Sequence, residues 1–157
     1  MLFRSRGVMI LFKPGLDVSI EKIVNDSNGR YILSETVLDG KKFVFLNIYS
    51  PNDQTQQVQF LKDLSNFVLN SYANEKVVLG GDFNCVMHEI DKRGGRPIIQ
   101  KKSVIQEMNT LIRSQDLVDA WSYKHPNMQG FTWNNPSMKI QCRLDYFFCN
   151  KRYAVFN

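Results

Sequence analysis

Gly80-Gly81-Asp82-Phe83-Asn84 closes the apolar run Lys76-Val77-Val78-Leu79, and its reading decides the fold. The run before it is short, β-branched and without polar alternation, which describes a strand buried on both sides. Functional groups of open α/β sheets gather at the carboxyl ends of such strands. Two glycines there allow close backbone approach or unusual dihedrals. An aspartate and an asparagine two residues apart point the same way if the strand continues. A carboxylate can take a proton or hold a hard cation, and a carboxamide can both donate and accept. The plain alternative is a turn, because Gly, Asp and Asn are all turn formers.

Outward from this point, strands precede and helices alternate. Val8-Met9-Ile10-Leu11-Phe12 reads as a buried strand closed by Pro14-Gly15. Asp26-Ser27-Asn28-Gly29 marks a turn, and residues 31–38 form a strand that Asp39-Gly40 folds into a hairpin. Phe43 to Tyr49 follows as a strand apolar on both faces, and so expected to be buried on both. Asp53 and Gln56 have capping-box spacing ahead of Phe60, Leu61, Leu64, Phe67 and Val68, a helical period that fades near Tyr72. Ser103 and Gln106 repeat that spacing ahead of Val104, Met108, Leu111 and Ile112. Between the two helices lies a polar loop, residues 88–102. Phe131-Thr132-Trp133 and Leu144 to Phe148 read as late strands. This order predicts an α/β layered domain with mixed β-sheets flanked by helices, one domain over residues 1–157.

The net charge of +5 suits a polyanionic partner, though a merely basic surface explains it equally. No stretch approaches the roughly 20 apolar residues of a membrane span. Nor does the start read as a signal peptide. Three cysteines, Cys85, Cys142 and Cys149, give an odd count without Cys-x-x-Cys spacing. That argues against a disulfide scaffold, a zinc site or a disulfide-linked partner, and for an intracellular compartment, the nucleus included.

Four further features invite chemistry. Tyr49 ends its strand, where a phenol is either core or held against a phosphate. Asp145 sits among apolar neighbours and needs a partner if it points inward, with Arg143 the local candidate for an ion pair. His88 and His125 lack ligand spacing and read as surface residues. Lys92-Arg93-Gly94-Gly95-Arg96 is either a solvated loop or a contact for a nucleic-acid backbone.

Taken in order, Asn47-Ile48-Tyr49-Ser50-Pro51-Asn52, Gly80-Gly81-Asp82-Phe83-Asn84, Phe131-Thr132-Trp133 and Arg143-Leu144-Asp145-Tyr146 resemble the endonuclease/exonuclease/phosphatase superfamily. Its DNase I-like fold is implied here as incomplete at both ends. Asp91-Lys92-Arg93-Gly94-Gly95-Arg96-Pro97 and Leu117-Val118-Asp119-Ala120-Trp121 look most like the apurinic-type endonuclease domain of LINE-type non-LTR retrotransposon polyproteins. The resemblance implies magnesium-dependent hydrolysis of DNA phosphodiesters, leaving a nick that can prime reverse transcription. Tyr49 would contact the scissile phosphate, Asp82 would position or deprotonate the attacking water, and Asn84 would hold a phosphate oxygen and that water. Thr132 would lie at the DNA-facing rim, with Arg93 and Arg96 as substrate contacts. Asp145 would orient a histidine.

The chain also departs from the family pattern. The Asn and the metal-binding Glu of the family's first strands have no counterpart here, so no metal ligand is assigned. The Ser-Asp-His run that supplies the catalytic histidine is also missing, and Cys142 replaces a small hydroxyl residue. The expectation is therefore a partial domain with little or no nuclease activity of its own, since such groups act as a unit. Two alternatives stand beside it. One is a non-catalytic nucleic-acid-binding remnant. The other is a phosphodiesterase acting on a lipid or other phosphate ester, against which the Asp-Lys-Arg-Gly-Gly stretch argues.

Overall fold

Alternation along the strands decides which side of the sheet meets the helices. In a computed structural model, residues 2–5, 7–96, 102–137 and 139–153 are described. A two-stranded ribbon, β1 (Leu2–Ser5) and β2 (Val8–Leu11), is followed by β3 (Val18–Asn25), β4 (Tyr31–Leu38) and β5 (Lys41–Tyr49). Helix α1 (Gln54–Tyr72) leads to β6 (Val77–Asp82). Next come a 3₁₀ turn (Glu89–Asp91), β7 (Lys92–Arg93), α2 (Lys102–Ser114), β8 (Leu117–Asp119) and α3 (Ala120–Lys124). Three strands close the chain: β9 (Trp133–Asn134), β10 (Gln141–Cys142) and β11 (Asp145–Asn150).

The main sheet has six strands in the order β3-β4-β5-β6-β11-β8, and β7-β10-β9 form a small second sheet. β5 and β6 run parallel, joined by α1 as the crossover, while the other pairings in the main sheet are antiparallel. Asp39 and Gly40 both take positive φ at the β4–β5 hairpin, as a tight primed turn needs.

Val44, Leu46, Ile48, Val77, Leu79 and Phe148 face one way and pack with Leu61, Leu64 and Val68 of α1 and Val104, Met108 and Leu111 of α2. Asp53 caps α1 by accepting from the amides of Thr55 and Gln56. The opposite face carries Phe43, Phe45 and Asn47 from β5 and Phe147 from β11. The β1–β2 ribbon covers part of it, and the Asn47 carboxamide donates to the Met9 carbonyl at 2.8 Å. Phe147 stays 54% exposed there. The expectation that β5 is buried on both faces is therefore corrected: one face is core, the other only partly covered.

Other expectations shift as well. α2 already includes Ser103, so that residue lies inside the helix and is not its cap; residue 101 lies outside the described part. The Phe131-Thr132-Trp133 strand is reduced to Trp133–Asn134. Among the described residues no helix is long and apolar enough to cross a membrane.

Candidate active site

The strand registers bring the separated motifs together. Tyr49 of β5 lies opposite Asp82 of β6, and Asp82 lies opposite Asp145 of β11. These are three adjacent strands near the middle of the sheet, so the three residues form one row across it. The next row down is Asn47, Gly80 and Phe147. Both rows belong to the sheet face away from α1 and α2, as period-2 alternation from Phe45, Val78 and Cys149 requires.

The glycines make the row possible. Gly81 has φ +133°, and a Cβ there would fall 2.0 Å from the Ile48 carbonyl oxygen. Gly80 lets the Phe147 ring pack against the strand, where a Cβ would sit 3.2 Å from a ring carbon. Close backbone approach is thus the reason for Gly81, and ring packing the reason for Gly80. Asn84 takes φ +48°, a left-handed conformation that asparagine tolerates.

A web of hydrogen bonds then fixes the loop. The Asn84 amide donates to Asp82 Oδ1 at 2.8 Å, and the Asn84 carboxamide donates to the Ser50 carbonyl at 2.7 Å. The Ser50 amide donates to the Asp82 carbonyl at 2.8 Å. From α1, the fully buried Gln57 carboxamide donates to the carbonyls of Phe83 at 2.8 Å and Asn84 at 3.2 Å, and to Ser50 Oγ at 3.3 Å. Phe83 is itself fully buried, edge-on to Tyr146 and Phe148. Burial raises the Asp82 carboxyl above the usual range; the Asn84 amide opposes this, and the Asp145 charge adds to it.

Asp145 is exposed, and its start of strand is held by Thr132. The Thr132 hydroxyl accepts from the amides of Leu144 at 3.1 Å and Asp145 at 3.2 Å. A cleft of about 380 Å³ opens beside it, lined by Trp121, Phe131, Thr132, Arg143, Asp145 and Phe147 among others. A larger one of about 610 Å³ runs along α2 between Val86–Glu89 and Lys102–Arg113 and contains none of the row.

The expected ion pair between Arg143 and Asp145 is not formed. Arg143 turns inward, 2% exposed, and its Nε donates to Asp91 at 2.7 Å and its Nη2 to Asp119 at 2.7 Å. Asp145 points the other way, as an exposed residue at a strand start can without a partner. Arg93 and Arg96 are exposed on the small sheet and its turn, and among the described residues neither is bonded to the row. His88 precedes the 3₁₀ turn and His125 packs on Trp121 at 4.3 Å between ring centroids, so neither joins the row.

Sequence reasoning passed over Gln57, although a signal was there: a carboxamide on the same helical face as Leu61, Leu64 and Val68. It also gave no pairing to Asp91 and Asp119, whose partner Arg143 is distant in sequence.

The main sheet thus carries a phenol and two carboxylates in one row, beside a loop braced by a buried carboxamide. The chain belongs to the Endonuclease/Exonuclease/phosphatase family, whose model matches residues 3–157. It is 25% identical over 133 residues to the Transposon TX1 uncharacterized 149 kDa protein of Xenopus laevis, covering 85% of this chain and 10% of that protein. It superposes on an AP endonuclease from Archaeoglobus fulgidus with TM-score 0.72 and 16% identity, over 87% of this chain and 60% of the other. The 3' phosphatase NExo from Neisseria, bound to product DNA hairpin, gives TM-score 0.67 and 21% identity over 88% and 59%. AP endonuclease LMAP from Leishmania major gives 0.72 and 16% over 90% and 55%. The fold is that of the DNase I-like AP endonucleases. The chain spans a tenth of the transposon protein and 55–60% of these solved chains.

Proposed function

We propose that this chain contributes the central part of a DNA-cleaving endonuclease site of a non-LTR retroelement, acting on phosphodiesters. The observation that carries the reading is the Tyr49–Asp82–Asp145 row, set by register across three strands. In it the Tyr49 hydroxyl donates to a phosphate oxygen. Asp82, its carboxyl raised by burial, takes the proton of the attacking water; a base is most useful when its pKa lies closer to working pH. Asn84 sits at the same loop, where its carboxamide can orient the water and a phosphate oxygen. Water adds to phosphorus, the bond to the leaving oxygen breaks, and that oxygen takes up a proton.

Magnesium is the ion that the family resemblance implies, and it commonly uses one or two carboxylates with waters and phosphate oxygens. Among the described residues no group of three His, Cys, Asp or Glu gathers for a metal. When bound, such an ion would neutralise charge on the phosphate and leaving oxygen. Asp145 is suited to orient a histidine, and neither histidine of the described residues joins it. The chain on its own is therefore expected to bind DNA and nick it only at a trace rate.

Supercoiled plasmid with magnesium chloride tests this. The expected result is salt-sensitive binding with barely detectable nicking, which Asp82→Ala and Asp145→Ala remove while binding persists. Robust nicking would overturn the impaired state, and absence of DNA binding would overturn DNA as the substrate.

A further inference from the structure

We infer that the groove along α2 is a docking site for an acidic, extended peptide of a partner protein. The inference uses no residue of the row and stands apart from the DNA reading above.

The groove has two walls, each tied to the core. One is α2, whose Val104, Met108 and Leu111 are fully buried. The other is the segment 86–89, just beyond the Asp82–Asn84 loop. Val86 is buried there, the Met87 amide donates to the Tyr146 hydroxyl at 3.0 Å, and the His88 carbonyl accepts from the Asp91 amide at 3.0 Å. Between the walls lies a space of about 610 Å³. It is formed before any ligand arrives, which lowers the ordering cost of binding.

The helix stripe that faces this space decides its chemistry. Lys102, Gln106, Asn109 and Arg113 all line it, at the four, three and four residue steps of one helical face. Eleven steps of about 1.5 Å set the two cations about 16 Å apart along the axis. Neither forms an ion pair with a described residue, whereas Glu107 of the same helix is paired with Lys62. Glu89 is the single acid among the lining residues. The carboxamides between the cations can each donate and accept, as a peptide backbone requires. Ile105 and Met87 supply apolar surface, and a methionine adapts to varied side chains.

An extended peptide advances about 3.3 Å per residue and turns alternate side chains to the same face. An acid-x-apolar-x-acid segment therefore directs three side chains into the groove, its two carboxylates about 13 Å apart. The long stems of Lys102 and Arg113 lean inward to close the difference. The apolar residue between the acids meets Met87 and Ile105. A single nucleic-acid strand would also meet the cations, but its bases stack on aromatic faces, and His88 is the one ring in the lining. Charge and surface together favour the peptide.

The test is a proton–nitrogen correlation NMR titration of the full chain with two capped peptides of one composition. The first is Thr-Glu-Thr-Leu-Thr-Glu-Thr. The second, Thr-Glu-Thr-Leu-Glu-Thr-Thr, moves one glutamate to the opposite face. The first should shift resonances of residues 86–89 and 102–113 saturably and bind about fivefold more tightly than the second. Lys102→Gln and Arg113→Gln should each weaken it about two- to fivefold, the worth of one exposed ion pair, with Tm unchanged. The double variant should lose about tenfold, and added salt should shrink the difference. Absence of saturable shifts in the groove up to about 5 mM peptide overturns the proposal. Equal binding of the two peptides overturns it too, and this comparison needs only the wild type. Tighter binding of hexathymidylate in the same groove assigns it to nucleic acid and overturns the peptide.

Discussion

Arg143→Met is the perturbation that most directly probes how the site is held up. The guanidinium is enclosed by Asp91, itself 2% exposed, and by Asp119, whose side chain is 14% exposed. Its Nη2 also reaches Ser122 Oγ at 3.1 Å. Tyr146 completes the cluster, its ring 4.6 Å from the guanidinium carbon and its hydroxyl donating to the Arg143 carbonyl at 3.0 Å. Burial and the Asp91 charge hold the Tyr146 phenol well above the ordinary tyrosine range, so it stays a donor. Methionine keeps much of the volume and removes the charge, leaving Asp91 buried without its cation. Breaking a buried pair this way costs about 3–5 kcal/mol. At about 2–4 °C per kcal/mol for a chain of this size, Tm should fall by roughly 6–20 °C. Urea unfolding followed by circular dichroism gives the free energy. Adding Asp91→Asn to Arg143→Met should return at least about 1 kcal/mol, because the uncompensated charge is gone. A single-variant loss under about 1 kcal/mol, or strict additivity in the double variant, would refute the reasoning.

Other variants address the row itself. Gly81→Ala should cost more than about 2 kcal/mol in urea unfolding, because its φ of +133° and the Ile48 carbonyl both oppose a side chain. Gly80→Ala should cost less, since only the Phe147 ring must give way. Asp82→Asn should raise Tm at pH 7. The folded carboxyl binds its proton more tightly than the unfolded one, so the ionised group costs stability above the raised pKa. That cost disappears as pH falls toward the unfolded value of about 3.9, and the two melting curves should then converge. Gln57→Leu should speed amide exchange in residues 83–86 more than at the centre of α1, since it removes the donor to Phe83 and Asn84. Equal protection in both segments would show that Gln57 does not brace the loop.

Much of this was legible in the chain. Strands β4 and β6 and helix α1 declare themselves through local pattern: Asp39-Gly40 demands a primed turn, Asp53 has amides to cap, and Leu61, Leu64 and Val68 repeat at helical spacing. The Gly-Gly-Asp-Phe-Asn run does close a strand of the main sheet, as its apolar lead-in suggested. β3 was not legible, because Glu21 and Lys22 interrupt its alternation on an edge where both faces stay partly wet. The Arg143–Asp91 pair spans 52 residues and leaves no periodic trace. Local reasoning paired Arg143 with its neighbour two residues on, which shares a strand face only if the strand is already regular there. In fact β11 begins at Asp145, so Arg143 is free to turn into the core.

That inward turn connects stability to chemistry. One side of the site hangs on Gln57, which reaches out of α1 to the loop after β6. The other hangs on Arg143 and Thr132, which fix where β11 starts. The row needs both, since Asp82 belongs to the first support and Asp145 to the second. Register alone aligns the backbones; the side supports decide whether two carboxylates remain side by side despite their mutual repulsion. Two carboxylates on adjacent strands, one of them partly buried, are costly to the fold. The Asp82 carboxyl is raised first by its burial, and the Asp145 charge across the strand pair adds to that.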